Sequence, residues 1–133
     1  MQKLEHIGIA VKSLSHSIPL FEALLNTTCY KEELVESEAV RTAFFATGEQ
    51  KIELLESTHP EGVIAKFIER KGEGIHHIAF VVSDIVAEMK RLTEAGFVMM
   101  HDKPKPGADN KLVCFLHPKN TNGVLIELCM DNN

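Results

Sequence analysis

The sequence predicts an α+β fold built from two tandem βαβββ modules, and three observations predict it. The stretch His6-Ile-Gly-Ile-Ala-Val-Lys-Ser-Leu14 is echoed by His77-Ile-Ala-Phe-Val-Val-Ser-Asp-Ile85, both reading His-Ile-x-apolar-x-Val-x-x-apolar. Each copy is followed by an Ile-Glu-Leu, at Ile52-Glu53-Leu54 and Ile126-Glu127-Leu128. The offsets, 71 positions from His6 to His77 and 74 from Glu53 to Glu127, differ by what one loop insertion absorbs, so both polar landmarks stay in phase. Long-period self-similarity of this kind fixes architecture, and two copies of about 65 residues fill the chain without the short periods of a solenoid.

Each element has a local reason. Leu4 to Val11 alternates as a strand does, with Ile7, Ile9 and Val11 on one side and His6, Gly8 and Ala10 on the other. Ser13 and Ser15 can cap a helix that tolerates Pro19 in its first turn and carries Leu20, Phe21, Leu24 and Leu25. Cys29 to Leu34, Ala39 to Ala46 and Lys51 to Glu56 read as strands, the last two joined by the hairpin signal Thr47-Gly48-Glu49-Gln50. Thr58 to Gly62 breaks the sheet, and Val63 to Arg70 has helical spacing. The second module repeats the order: a strand from Ile75 to Val82, a helix from Asp84 to Ala95 stopped by Gly96, then strands at Phe97 to Met100, Lys111 to Leu116 and Val124 to Met130. Asp102 to Asn110 forms a polar, proline-bearing loop of the kind that touches ligands. Residues 1–133 thus make one domain, with modules at about 1–58 and 74–133 joined by a helical linker at about 60–71.

Composition narrows the function. The 44% apolar content suits a soluble domain with a real core, and a net charge of −5 lacks the basic face that nucleic acid needs. Cys29, Cys114 and Cys129 have no paired spacing, so they read as reduced core residues rather than disulfides or a zinc ribbon. No run is apolar enough to span a bilayer, and Met1 to His6 leads straight into a strand with no signal region, so the cytoplasm is the expected location.

The repeated His and Glu carry the chemistry. His6 and His77 overlook small neighbours, and Glu53 and Glu127 point away from the side of their apolar flanks. A carboxylate buried in mid-strand costs several kcal/mol unless it is neutralised, paired or bound to a metal. His6, His77, Glu53 and Glu127 are therefore four metal-ligand candidates, and their N and O donors suit an open catalytic zinc, cobalt, manganese, nickel or ferrous ion. His76 should face away from His77, while His16, His59, His101 and His117 have no repeat partner. Lys103, Lys105, Lys111 and Lys119 read as a solvated face that can also meet an anionic cofactor tail.

Over nearly its full length the chain resembles the vicinal oxygen chelate superfamily, to which the glyoxalases belong, and within it the methylmalonyl-CoA epimerases. The specific pieces are Leu4 to Val11, Ile52 to Glu56, Ile64-Ala-Lys-Phe-Ile68, Gly72 to Phe80, Phe115-Leu-His-Pro-Lys119 and Gly123 to Leu128. The resemblance implies a cupped mixed sheet around a divalent ion held by His6, His77 and Glu127, with Glu53 a further ligand or close by, and a homodimer acting on an acyl-CoA. It implies interconversion of (2R)- and (2S)-methylmalonyl-CoA. Inversion needs a proton carrier on each face of the enolate, for which Glu127 and Glu53 are the candidates, with a metal-bound water as substitute for either, and Lys119, Lys103 and Lys105 are the candidates to meet coenzyme A. Thr42 stands where some epimerases carry a glutamate considered one of two bases, and Asp109-Asn110 alters the family's glycine-rich loop. A glyoxalase I-type lyase and a ferrous dioxygenase are alternatives on the same ligand pattern, and a non-catalytic, metal-free small-molecule-binding module of the same fold is a third, which would lose the four ligands.

Overall fold

The computed structural model describes all 133 residues and is α+β, with eight strands in mixed pairing and three α-helices. Two compact units emerge: His6–His76, and Met1–Glu5 together with His77–Asn133.

In the first unit the strands lie in the order β2 (Lys31–Val35), β3 (Val40–Thr47), β4 (Gln50–Ser57), β1 (Lys3–Ala10, entering this unit at His6). β1 and β4 are parallel with Gly8 beside Glu53, and the antiparallel β3 sets Phe44 on the other side of Glu53. The β3–β4 hairpin closes over two residues, with Gly48 at φ 66 in the left-handed region that a tight hairpin requires. Helix α1 (Leu14–Leu25) is capped by Ser13, whose hydroxyl accepts the His16 N–H at 3.3 Å, and the Glu56 carboxylate accepts the Leu14 N–H at 2.6 Å. A carboxylate at this end also meets the positive pole of the helix. Because the helix begins at Leu14, Pro19 falls in its second turn rather than the first as expected, and the carbonyl of Ser15 loses its usual helical donor. Ile18, Phe21 and Leu25 of α1 pack on Ala43, Phe45 and Leu54. Helix α2 (Val63–Lys71) packs Ile64, Phe67 and Ile68 against Ala10, Val40 and Leu55 on the opposite face. The face bearing His6 and Glu53 is thus shared with α2.

The second unit orders β5 (Gly74–Val81, entering at His77), β8 (Ile126–Asp131), β7 (Lys111–Leu116) and β6 (Lys105–Pro106). β5 and β8 are parallel with Ala79 beside Glu127, and β7 places Phe115 on Glu127's other side. Ile85, Met89 and Leu92 of helix α3 (Ile85–Glu94) pack on Cys114, Leu116 and Leu128. Asp84 caps α3 by accepting the Ala87 N–H at 3.0 Å. The expected strand at Phe97 to Met100 reduces to a single bridge between Met99 and Leu116, and the two-residue β6 pairs with β7 instead. Pro104 and Pro106 lack the N–H groups that a longer ladder needs.

Gly96 ends α3 as expected. Its φ of 99 lets the N–H groups of Gly96 and Phe97 donate to the carbonyls of Thr93 and Leu92, the paired bonds of a Schellman motif. A Cβ at Gly96 would meet nothing within 4 Å, so the cost of Gly96→Ala is the backbone conformation alone. We expect a loss of about 1–2 kcal/mol in urea denaturation; an unchanged midpoint would contradict this account. No helix is long and apolar enough to cross a membrane.

Candidate active site

Strand alternation in the first unit sends Ile9 and Val11 toward α1 and leaves His6, Gly8 and Ala10 on the other face. The same parity puts Ile52, Leu54 and Glu56 on the α1 side of β4 and Glu53 with His6. His6 and Glu53 are buried, and His6 Nε2 lies 3.2 Å from Glu53 Oε1. Across the strands the same face carries Gly8, Glu53, Phe44 and Lys31 in one rung. The glycine leaves room beside the carboxylate, and the fully buried Phe44 walls its other side.

The second unit builds the same device. His77 and Glu127 are buried, with His77 Nε2 3.4 Å from Glu127 Oε1. Here the rung is Ala79, Glu127 and Phe115, and the His77 ring stands edge-on to Phe115 with centroids 5.6 Å apart. Each carboxylate therefore sits between a small residue and a phenylalanine, against an imidazole nitrogen. No buried side-chain nitrogen or oxygen lacks a hydrogen-bond partner. A buried carboxylate against an imidazole is satisfied by a shared proton or by a common cation, and both donor types are those that divalent transition metals accept.

The other candidates are dispersed. Lys105 pairs with Val113, which packs with Ala79 and Cys129, so Lys105 belongs to the Glu127 face. Lys103 lines a surface cavity with Val86, Met89, Phe97 and Met99 on the α3 side. Lys119 lies exposed on the turn Pro118–Asn120, its N–H donated to His117 Nδ1 at 3.1 Å, and Lys111 pairs with Asp131. Thr42 is fully buried, and its hydroxyl donates to the Glu33 carbonyl at 3.4 Å. Phe44, Phe115 and the edge pair Lys31 and Glu33 went unread in the sequence. The recurrence of a phenylalanine in the strand before each repeated glutamate is the signal that could have found the first two.

His76 stacks edge-on against Phe67 of α2, centroids 5.0 Å apart, and burial pushes its pKa down to about 4. Its folded pKa lies below the ordinary 6.5, so between about 4 and 6.5 the unfolded chain binds the extra proton. The stabilisation is whole at neutral pH and falls as pH drops through that window, by at most about 3 kcal/mol. Urea unfolding at pH 7 and pH 4.5 should show this decline, with a shallower slope in His76→Phe; equal slopes would remove His76 as the cause.

A model of the Glyoxalase/Bleomycin resistance protein/Dioxygenase superfamily matches residues 5–115. An ethylmalonyl-CoA/methylmalonyl-CoA epimerase of Cereibacter sphaeroides is 38% identical over 128 residues, covering 95% of this chain and 96% of the relative. The chain belongs to the methylmalonyl-CoA epimerase family of that superfamily. The crystal structure of a hypothetical protein from Bacillus halodurans C-125 is 46% identical to this family member, with a TM-score of 0.93 over 96% of this chain and 92% of that one. A Streptomyces coelicolor methylmalonyl-CoA epimerase variant in complex with 2-nitronate-propionyl-CoA is 30% identical, with a TM-score of 0.93 over 98% and 95% of the two chains. The resemblance read from the sequence and the fold class it implied are both borne out.

Proposed function

We propose that this chain is a methylmalonyl-CoA epimerase, an isomerase that removes the C2 proton of (2R)- or (2S)-methylmalonyl-CoA and returns it to the opposite face. The observation that carries the reading is the twice-built rung, a buried glutamate against a buried imidazole, in a family whose named relatives are epimerases of this acyl-CoA.

Breaking C2–H leaves an electron pair that spreads into the thioester carbonyl as an enolate, and protonation on the other face inverts the centre. His6, His77 and Glu127 are buried side chains of the type that hold a divalent ion, and Glu53, against His6, is a fourth donor or a neighbour of the ion. Cobalt, zinc, manganese or nickel fits this N and O donor set. When bound, such an ion supplies Lewis-acid polarisation of the substrate's thioester and carboxylate oxygens. Glu53 takes and returns the proton on one face of the planar enolate and Glu127 on the other, the arrangement that inversion requires. The apolar walls Phe44 and Phe115 exclude water from both carboxylates. Lys105 and Lys119 meet the pyrophosphate of coenzyme A; Lys103, on the α3 side, is the weaker candidate of the three.

The same reading places the protein as a cytoplasmic homodimer in propionate metabolism. Its three cysteines form no disulfide, which suits a reducing compartment, and light scattering tests the dimer. The deciding experiment is proton NMR of (2R)-methylmalonyl-CoA in deuterated water with metal-loaded protein, coupled to a (2S)-specific mutase. Deuterium entry at C2 with conversion is the expected result. Absence of exchange with every divalent metal, with turnover of the methylglyoxal–glutathione adduct, would make it a glyoxalase instead. Silence on both would favour a binding module.

A further inference from the structure

The first unit's rung does not stop at Phe44. Lys31 of the edge strand β2 stands opposite Phe44, its Nζ 5.9 Å from the ring centroid, and the Tyr30 ring lies 6.2 Å from the same phenylalanine. Phe44 is fully buried beneath them, whereas Tyr30 is 49% exposed and the Lys31 side chain 37%. Tyr30 is the chain's single tyrosine, and there is no tryptophan. A half-exposed ring and an ammonium thus share one rigid pedestal, on the face that carries His6 and Glu53. With strands about 4.8 Å apart, Lys31 stands roughly 10 Å from Glu53 at the backbone, displaced laterally from the proton-transfer end.

We propose that Tyr30 and Lys31 seat the adenine nucleotide tail of the acyl-CoA substrate. The proposal rests on the epimerase reading and extends it to residues outside the repeated pattern. Purine stacks on an exposed aromatic face, and an ammonium beside it takes a phosphate through charge-assisted hydrogen bonds. The cation over Phe44 keeps Lys31 in place at little entropic cost. Glu33, whose Oε1 lies 3.3 Å from Lys31 Nζ on the same edge, offsets part of the lysine's charge and so moderates tail binding.

The test compares two substrates that share the reacting centre: methylmalonyl-CoA and the methylmalonyl thioester of N-acetylcysteamine, which has no nucleotide. Lys31→Met and Tyr30→Ala should each raise KM for the CoA thioester about tenfold with kcat nearly unchanged, the scale of one charge-assisted or stacking contact at a half-exposed site. Neither should alter KM for the short thioester. Lys31→Arg should restore most of the loss, and Glu33→Gln should lower KM for the CoA thioester alone. Calorimetric binding of adenosine 3′,5′-bisphosphate, weakened by Lys31→Met, gives the same answer without turnover. Equal changes on both thioesters, or none on either, would overturn the proposal. A wild-type protein that turns over neither thioester yet binds the bisphosphate through Lys31 would sink the epimerase reading and leave the nucleotide seat standing.

Discussion

A Glu53→Gln protein is expected to lose epimerisation by a factor of about 10³, within the range of one removed acid–base group. Glutamine matches the shape of the carboxylate and can still contact His6 Nε2, so the buried pair need not collapse. What the amide cannot do is accept the C2 proton. With Glu127 intact, one epimer should still wash its C2 proton into deuterated water without converting, because removal and return then use one face only. Exchange without inversion, confined to one epimer, is the signature of two proton carriers working from opposite faces. Epimerisation at the wild-type rate would remove Glu53 from the mechanism, and loss of exchange from both epimers would assign it to holding the ion.

Exhaustive chelation is expected to lower activity more than 100-fold and to lower thermal stability, both reversed by cobalt, zinc, manganese or nickel. The stability readout stands apart from catalysis. An ion at 100 times its Kd stabilises the folded state by about 2.7 kcal/mol, and the melting temperature should follow ion concentration accordingly. His77→Ala should abolish that dependence, since its nitrogen is a proposed ligand and Glu127 loses the imidazole 3.4 Å away. A wild-type melting temperature indifferent to every divalent ion would end the metal reading while leaving the two imidazole–carboxylate pairs as structural groups.

The sequence made the four buried polar residues of the repeated pattern visible because strand parity is local. His6 must face with Gly8 and Ala10, and Glu53 must face away from Ile52 and Leu54, whatever else the chain does. Cross-strand register is a different matter. Lys31 meets Phe44 only because the short turn Glu36–Glu38 ends with Ala39 in the left-handed region at φ 54, a conformation that alanine does not announce. Lys103 and Lys105, two residues apart, looked equivalent in sequence, yet one lines a cavity beside α3 and the other joins the Glu127 face. The strand expected at Phe97 to Met100 shortened for a related reason: Phe97 and Met99 pack against the α3 cluster while Val98 and Met100 are exposed, and apolar pattern alone does not show that pairing stops at the single Met99–Leu116 bridge.

The two rungs, Gly8-Glu53-Phe44 and Ala79-Glu127-Phe115, are near copies that differ by one methyl group at the small position. The molecule therefore carries its own internal control. A change made in one rung can be read against the untouched other in the same tube, at the same protein concentration and metal loading. Exchanging the small residues, Gly8→Ala with Ala79→Gly, moves a single carbon from one carboxylate to the other and leaves composition constant. A resulting change in how fast one epimer, and not the other, exchanges its C2 proton with solvent reports the half whose carboxylate removes that proton.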